Sequence, residues 1–331
     1  MSDPSMEIPE GIRLRLPATS ANLGPGFDAA AISLDFFLEI EAEPARQFSI
    51  VATGRNPERC GKLEDNLVLE IYKKLLERNG RAIVPLAIRM ANGIPLGMGC
   101  GSSAAGRIAA ILLAVHFGQL GWDSDRILEE ACLFEGHPDN AAACWLGGFV
   151  TGAREGRTVY AARVVPPAAW RAIVVLPADP LPTSKARAVL PEYYSRADAV
   201  VNIQSVALLG LAFAQARADL LRIAMKDRIH QPYRASICPQ LPLLLPTAGK
   251  DGILGVALSG AGPAVLVVVE SEEFLTAASN AILAALTGLA EPELIVCRFL
   301  TDGANLALGS IGRRHSELSR TPVDRETRPA V

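Results

Sequence analysis

A glycine-rich loop that runs into a helix is the segment of this chain best suited to chemistry. Its residues are Pro95, Leu96, Gly97, Met98, Gly99, Cys100, Gly101, Ser102, Ser103, Ala104 and Ala105. The apolar residues at 108, 111, 112 and 115 then share one helical face. Backbone N–H groups at a helix start lack partners and carry partial positive charge, and glycine allows close approach of a ligand. The segment is therefore suited to holding phosphate.

The loop matches neither of two familiar nucleotide-binding patterns. No lysine precedes the serines, as a Walker A loop requires, and the glycines lack the spacing of a dinucleotide-binding fingerprint. The alternative is a glycine-rich turn in which Ser102 is the N-cap of an ordinary helix. The chemistry of the loop alone leaves both interpretations open.

Further motifs in the same chain favour phosphate binding. A segment at 17–28 reads PATSANLGPGFD, and one at 258–264 reads LSGAGPA. Together with the loop and in this order, they resemble the superfamily of galactokinase, homoserine kinase, mevalonate kinase and phosphomevalonate kinase, the GHMP kinases. The first segment, HPDN at 137–140 and HQPYR at 230–234 are similar to the homoserine kinase family within it. The resemblance covers about residues 12–300.

This resemblance implies an activity and a fold. The activity would be ATP-dependent phosphorylation of the side-chain hydroxyl of L-homoserine, giving O-phospho-L-homoserine in threonine biosynthesis. The alternatives are another kinase of this superfamily, acting on a mevalonate-, shikimate- or sugar-like substrate, or a non-catalytic nucleotide-binding relative. The fold would be α+β with two lobes, the first like domain 2 of ribosomal protein S5 and the second ferredoxin-like. The implied boundaries are an N-terminal extension at 1–11, an ATP-binding domain at 12–165, a C-terminal domain at 166–308 and a polar tail at 309–331.

Two oxygen-bearing residues match the magnesium ligands of the family. Mg²⁺ prefers hard oxygen ligands, and Ser103 and Glu135 offer a hydroxyl at a helix start and a carboxylate at a helix end. The resemblance implies that they hold Mg²⁺ beside ATP. Without it, Ser103 reads as a capping residue and Glu135 as a solvated carboxylate, which the helix dipole slightly disfavours.

A substrate site for a small zwitterion needs positive charge for its carboxylate and oxygen atoms for its ammonium. Guanidinium groups bind carboxylates through two parallel hydrogen bonds. The resemblance places Arg187 and Arg234 at the carboxylate, and Asp28 and Asn22 fit the ammonium. Two alternatives stay open: the arginines could form surface ion pairs, and Asn22 and Asp28 could form an ordinary turn. The full implied substrate set is Asn22, Asp28, His137, Asn140, Thr183, Arg187, Arg234 and Gly260.

The catalytic assignment rests on an alignment with mevalonate kinases. Asn140 aligns with a catalytic aspartate, and asparagine cannot accept a proton. Proximity and electrostatic stabilisation would then supply most of the rate, as is common in phosphoryl transfer. Asp28 is the remaining carboxylate that could accept the proton. Asn66 and Val68 match a segment that lines the adenine pocket of relatives.

Cys100 departs from the family, which usually has an apolar residue such as leucine there. A cysteine at a helix N-terminus can have a depressed pKa and raised reactivity. The alternative is a small apolar filler, which we favour.

Composition favours a globular protein of the reducing cytoplasm. Half of the 331 residues are apolar, and the net charge of −3 argues against a nucleic-acid surface. The six cysteines show no C-x-x-C spacing, residues 1–10 lack the apolar segment of a signal peptide, and no uninterrupted apolar run reaches the length of a membrane span. We therefore expect neither a nucleic-acid nor a membrane partner. The oligomeric state is left open, with a homodimer as one option.

Apolar periodicity predicts mixed strands and helices without strict alternation, which is typical of α+β layers. Predicted helices lie at 65–78, 124–135, 200–216, 218–225 and 274–286, in addition to the helix after the loop. Predicted strands lie at 12–16, 32–43, 84–90, 147–151, 158–164, 172–176, 254–258, 264–269 and 294–299. Residues 309–331 have no apolar period and many arginines, which favours a mobile tail.

Overall fold

The computed structural model describes residues 9–306. The predicted tail at 309–331 lies outside these residues. The described strands are β1 (Ile12–Asn22), β2 (Gly26–Pro44), β3 (Ser49–Gly54), β4 (Leu86–Asn92), β5 (Phe149–Glu155), β6 (Thr158–Val164), β7 (Arg171–Leu176), β8 (Ile253–Leu258), β9 (Val265–Val269) and β10 (Glu293–Arg298).

The helices mostly cover the two sheets that these strands form. The described helices are α1 (Pro57–Cys60), α2 (Leu67–Arg78), α3 (Ser102–Phe117), α4 (Ser124–Glu135), α5 (Asp139–Leu146), α6 (Thr183–Ala188), α7 (Arg196–Ala214), α8 (Ala218–Ala224), α9 (Gln231–Arg234), α10 (Gln240–Leu244) and α11 (Leu275–Ala285).

The first sheet is built on the long strand β2. This strand pairs antiparallel with β1, β4 and β5, and the sheet order is β3-β4-β2-β5-β6 with β1 on β2. The pair β3–β4 is parallel, and the other pairs are antiparallel. The GPGFD motif occupies the turn between β1 and β2 and the first three residues of β2. The register of β1 on β2 therefore fixes where Asn22 and Asp28 lie.

The helix after the glycine loop is central to the core. Helix α3 is apolar on nearly all sides, and it contacts α2, α4, α5 and β1. A helix that is apolar all round must be buried, since it has no face suited to water. Burial fixes its N-terminus, and hence the loop, relative to β1.

The second sheet has the order β10-β7-β9-β8 and is fully antiparallel. Successive side chains of β7 point to opposite faces: Ala172 and Val174 join the large core cluster, whereas Ile173 and Val175 pack in a second cluster with α10 and α11. Burial on both faces explains the continuous apolar runs of these strands. The two sheets with covering helices agree with the predicted α+β class.

One described helix, α7, could cross a membrane judged by length and composition alone, with a mean hydropathy of 1.6. Core helices of soluble proteins also pass this test. Polar residues interrupt the helix, among them Asp198 and Asn202, in keeping with the absence of an uninterrupted apolar run.

Candidate active site

A cavity of about 730 Å³ brings together nearly all the residues that the sequence motifs single out. It is lined by the glycine loop, the starts of α3 and α5, the turn between β1 and β2, and residues from α6, α9 and the turn after β8. Pro95, Met98 and Ala105, although part of the loop motif, are not among its lining residues.

The glycine loop takes a conformation that requires its glycines. Gly97, Gly99 and Gly101 have φ values of 70°, 84° and 71°, in the left-handed region. A Cβ on Gly99 would lie 2.1 Å from the carbonyl oxygen of Ser259. The spacing of the glycines thus reflects both backbone conformation and close packing against the turn after β8.

The carbonyl groups of the loop are held by the protein. Cys100 O accepts the Thr19 N–H at 3.1 Å, Met98 O accepts the Ala264 N–H at 3.1 Å, and Gly99 O accepts the Ser259 hydroxyl at 2.8 Å. Among the described residues, no backbone carbonyl accepts the N–H groups at 102–104, the start of α3. These donors are therefore available to an anion.

The N-cap of α3 is Gly101, and the expectation that Ser102 is the cap is wrong. Gly101 has a left-handed conformation, and neither serine hydroxyl makes a capping bond. The turn already fixes the backbone, so Ser102 becomes the first helical residue. Ser103 is exposed to the cavity instead of capping the helix.

The carboxylate of Glu135 lies at the end of α4 and lines the same cavity as Ser103. Its Oε1 is 2.5 Å from Nη1 of Arg107, and its side chain is only 8% exposed. The sequence analysis did not consider Arg107. Its position four residues after Ser103, on the same face of α3, was the available signal.

Gly136, which follows Glu135, ends helix α4 as its glycine predicted. It has a φ of 90° and donates its N–H to the Cys132 carbonyl.

The Glu135 carboxylate and the Ser103 hydroxyl border one cavity, which the start of α3 also lines. These two oxygen-bearing groups are of the kind that Mg²⁺ prefers as ligands.

The residues expected to bind opposite ends of a zwitterion are paired with each other. Arg187 donates two hydrogen bonds to Asp28, with Nη2–Oδ1 at 2.8 Å and Nη1–Oδ2 at 3.1 Å. This hydrogen bonding raises the pKa of Arg187 further. The pair is about one-third to two-fifths exposed. Water and a charged ligand can therefore both reach it.

Asn22 holds the turn between β1 and β2. Its Oδ1 accepts the Asp28 N–H at 3.1 Å, and its Nδ2 donates to the Gly260 carbonyl at 2.8 Å. Asn22 and Asp28 both have positive φ values, of 72° and 54°. Asn22 therefore has a structural role at this turn. Its carboxamide also borders the cavity.

Arg234 is almost completely buried, with 1% of its surface exposed. Its Nε donates to the Ala186 carbonyl at 3.0 Å, and its Nη1 donates to Nδ1 of His230 at 3.1 Å and to the Gly260 carbonyl at 3.2 Å. Burial lowers the pKa of Arg234. It is therefore not the surface ion pair that its residue type alone suggested.

Residues at the start of α5 form a polar network across the cavity. His137 Nδ1 lies 2.5 Å from Asp139 Oδ1, and the Asn140 Oδ1 accepts the Thr19 hydroxyl at 2.6 Å. Burial lowers the pKa of His137, but hydrogen bonding and the charge of Asp139 outweigh it, and the net pKa is raised. Ligand atoms of Asp28, His137 and Asp139 lie within 4.8 Å of one another.

Asn66 is the N-cap of α2. Its Oδ1 accepts the N–H groups of Val68 and Leu69, and its Nδ2 donates to the carbonyls of Cys60 and Lys62. Asn66 and Val68 line the cavity together with Leu38 and Met90. These side chains shape an apolar end, and Asn66 itself is occupied in holding the helix.

Cys100 is a buried filler, which is the interpretation favoured from the sequence, and it does not have the depressed pKa of a reactive cysteine. Its side chain is 1% exposed, and burial raises the pKa of its thiol to about 12. The Cys100 side chain belongs to the large apolar core. Desolvation therefore outweighs any effect of the helix dipole.

Comparison with known proteins identifies the family. The model for the GHMP kinases N terminal domain matches residues 66–148, and the GHMP kinases C terminal model matches residues 211–286. The chain is 43% identical to a homoserine kinase of Solibacter usitatus, over 78% of this chain and 84% of that protein. It is 40% identical to a homoserine kinase of Deinococcus radiodurans, over 76% and 82%. The chain belongs to the homoserine kinase family.

Solved structures agree with this family. The crystal structure of homoserine kinase from Cytophaga hutchinsonii has a TM-score of 0.75 and 26% identity, and the match covers 92% of this chain and 98% of that one. Leishmania major mevalonate kinase has a TM-score of 0.66 at 14% identity, covering 92% and 99%, and shows the fold alone. The predicted GHMP kinase fold is thus confirmed.

The two matched family models divide the candidate site. The N-terminal match contains the glycine loop, Glu135 and Asn140, and the C-terminal match contains Arg234 and Gly260. Asn22, Asp28, Thr183 and Arg187 lie outside both matches. The tertiary structure brings these residues to the same cavity as the matched ones in this homoserine kinase family member.

Proposed function

We propose that the protein transfers the γ-phosphoryl group of ATP to the side-chain hydroxyl of L-homoserine. One observation carries the proposal: a single cavity is lined by the start of α3, whose N–H groups have no backbone partner among the described residues, and by Asp28, Arg187 and Arg234. The first group of donors suits phosphate. The second set suits a small molecule with one ammonium and one carboxylate.

The phosphates of ATP would be held by the loop N–H groups, with the adenine towards Asn66 and Val68. Ser103 and Glu135 would hold Mg²⁺, which when bound supplies positive charge against the phosphate oxygens. Arg107 keeps the Glu135 carboxylate at the cavity wall through their ion pair. These residues supply fixed charge, as phosphoryl transfer requires.

Homoserine would separate the Asp28–Arg187 ion pair and form an ion pair with each of the two residues. Its ammonium takes the place of Arg187 against Asp28, and its carboxylate takes the place of Asp28 against Arg187, with Arg234 as the second arginine. A molecule with only one charge would separate Asp28 from Arg187 and satisfy only one of them. An unpaired charge in a partly buried site is costly, so this arrangement favours zwitterions.

The hydroxyl group would be oriented near Asn140, with His137, Thr183 and Gly260 completing the substrate site. Asn140 is fixed by Thr19, and it orients without accepting a proton. Asp28 is the carboxylate that could take the proton, but it cannot easily act as a free base while it also pairs with the ammonium. Positioning would then contribute most of the rate.

The remaining assignments follow from this function. We place the ATP-binding domain at 12–165 and the C-terminal domain at 166–308, the protein in the cytoplasm, and its product in threonine biosynthesis. L-homoserine is the small-molecule partner, with neither nucleic acid nor membrane involved and a homodimer as one option.

A coupled assay of ADP release tests the proposal. Homoserine, mevalonate, shikimate and galactose are compared at equal concentration with Mg²⁺ and ATP. We expect turnover with homoserine at least tenfold above the others. Preferred turnover of another acceptor would assign a different substrate, and the absence of turnover with every acceptor, despite measurable ATP binding, would favour a non-catalytic relative.

A further inference from the structure

His230 is a buried histidine with two specific hydrogen-bond partners. Its side chain is fully buried, Nε2 lies 2.7 Å from the Gly24 carbonyl oxygen, and Nδ1 lies 3.1 Å from Nη1 of Arg234. A carbonyl can only accept a hydrogen bond, and a guanidinium can only donate. The ring must therefore carry its proton on Nε2 and a lone pair on Nδ1, which makes it neutral.

The surroundings keep the ring in this neutral form. Burial lowers the pKa of His230 to about 4, although the charges of Asp227 and Asp28 oppose this and Arg234 adds to it. Asp227 Oδ2 is 3.6 Å from Nε2. A proton on Nδ1 would remove the acceptor for Arg234 and place two cations against each other.

His230 decides how the guanidinium of Arg234 is oriented. Nε of Arg234 is used by the Ala186 carbonyl, and Nη1 is shared between His230 and the Gly260 carbonyl. None of the hydrogen bonds that Arg234 makes within residues 9–306 uses Nη2. Because Arg234 lines the cavity, its two remaining N–H groups are the ones that a ligand can contact.

The His230 ring contacts both Arg234 and the segment that leads to Asp28. Gly24, which accepts from Nε2, lies in the turn just before Asp28. Phe27, which stands between them at the start of β2, stacks on His230 with ring centroids 5.3 Å apart. The guanidinium carbons of Arg234 and Arg187 lie 5.4 and 5.6 Å from the centroid of Phe27. Phe27 therefore packs against His230 and against both arginines.

We propose that His230 is a positioning residue, whose Nδ1 lone pair holds Arg234 so that Nη2 faces the carboxylate of the amino-acid substrate. His230 itself contacts neither the substrate nor the phosphates. This inference rests on the proposed function. It assigns to the HQPYR segment a role beyond the arginine for which it was singled out.

Two substitutions separate the two hydrogen bonds of the ring. In His230→Asn, the amide oxygen lies about where Nδ1 lies, so the acceptor for Arg234 is kept and the donor to Gly24 is lost. In His230→Gln, the amide nitrogen lies about where Nε2 lies, so the donor to Gly24 is kept and the acceptor for Arg234 is lost. A role limited to packing would make the two variants similar.

The measurements are the KM for homoserine, the KM for ATP, the melting temperature, and calorimetric binding of homoserine without ATP or Mg²⁺. For His230→Gln we expect homoserine to bind about tenfold more weakly, with the same rise in its KM, since a charge-assisted contact is misplaced. We expect a rise of about threefold or less for His230→Asn. The KM for ATP should stay within about twofold in both, because the loop is untouched.

The inference would be overturned by equal losses in the two variants, or by a loss seen mainly in the KM for ATP. If either variant fails to fold, nitrogen NMR of the four histidines in the wild type still decides: a ring protonated at Nδ1 or charged at pH 7 contradicts the proposal. Failure of the wild type to phosphorylate homoserine would instead refute the proposed function.

Discussion

At the scale of single residues, the two arginines proposed to bind the substrate differ in a way that their motifs do not reveal. Arg187 is 41% exposed and pairs with one carboxylate, whereas Arg234 is buried and bonds to two carbonyls and a histidine. Arg187 is therefore free to exchange partners, and Arg234 is fixed in advance. A site built in this way combines one adaptable arginine with one preorganised arginine.

Lysine substitutions test both arginines. Arg187→Lys and Arg234→Lys keep the charge but lose the planar fork, so kcat/KM for homoserine should fall roughly 10- to 100-fold, with little change in the KM for ATP. Arg234→Lys should also lower the melting temperature, since buried acceptors lose partners, whereas Arg187→Lys should hardly change it.

The control substrate for the two lysine variants is 3-amino-1-propanol, which is homoserine without its carboxylate. Where its turnover can be measured, Arg187→Lys should leave it almost unchanged. An equal loss with both acceptors would indicate general damage, and a loss confined to the affinity for ATP would place the arginines at the phosphates.

The proposed Mg²⁺ site depends on the carboxylate of Glu135. Glu135→Ala removes a negative ligand and leaves Arg107 without its partner, and we expect kcat at ordinary Mg²⁺ concentrations to fall about 100-fold or more. Ser103→Ala should also lose most of the turnover. Steady-state kinetics at several Mg²⁺ concentrations measure both effects.

Arg107→Gln is the matched comparison for Glu135→Ala, because it breaks the same ion pair from the other side and keeps the carboxylate. We expect a smaller loss of kcat than in Glu135→Ala. Near-normal kcat in Glu135→Ala would remove Glu135 from the metal site.

At the scale of elements, long helices could be predicted from sequence, and short ones could not. Helix α4 begins and ends where its apolar period and Gly136 indicate. The helices that carry the substrate arginines, α6 and α9, have six and four residues, too few for a period to be recognised. They are held by tertiary contacts such as the bond from Arg234 to Ala186. Their sequence motifs located the arginines, but their sequence pattern did not reveal the helices.

Alanine substitutions at two glycines test how tightly the glycine loop packs against the turn after β8. Alanine at Gly99 combines a φ of 84° with a Cβ 2.1 Å from the Ser259 carbonyl oxygen. Alanine at Gly121 has a φ of 64° and no atom within 4 Å of its Cβ. We expect Gly121→Ala to cost about 1–2 kcal/mol of unfolding free energy from conformation alone. Gly99→Ala should cost about 1–3 kcal/mol more, because the loop must move.

Urea unfolding and the KM for ATP measure the two glycine variants. A displaced loop should raise the KM for ATP in Gly99→Ala only. Equal stability of the two variants would show that the loop is not tightly packed on the turn after β8.

At the scale of the whole molecule, the ordered motifs predicted the fold and the lining of the site, but not how charges pair within it. The partners Asp28 and Arg187 are 159 residues apart, and Arg107 and Glu135 are 28 apart. Each of these residues has a plausible role alone, and only the folded chain decides which charges meet.

The neutral, buried His230 also makes the stability of the whole molecule depend on pH. An unfolded histidine has a pKa of about 6.5, and burial lowers the pKa of His230 to about 4 in the folded protein. Between these values the unfolded chain binds a proton that the native protein does not, so stability falls as pH is lowered through this range. At pH 4 this effect lowers the free energy of unfolding by about 3 kcal/mol relative to neutral pH. Above pH 6.5 the residue adds no pH dependence.

Unfolding free energies of the wild type and His230→Asn, measured by urea from pH 7.5 to 4.5, isolate this contribution. Other groups that titrate over this range are present in both proteins, so the difference between the two curves reports His230 and the groups facing it, Asp227, Arg234 and Asp28. We expect the wild type to lose more stability than the variant as the pH falls below 6.5. Parallel curves would mean that the ring gains its proton in the native state as readily as in water, and then it could not keep a lone pair directed at Arg234.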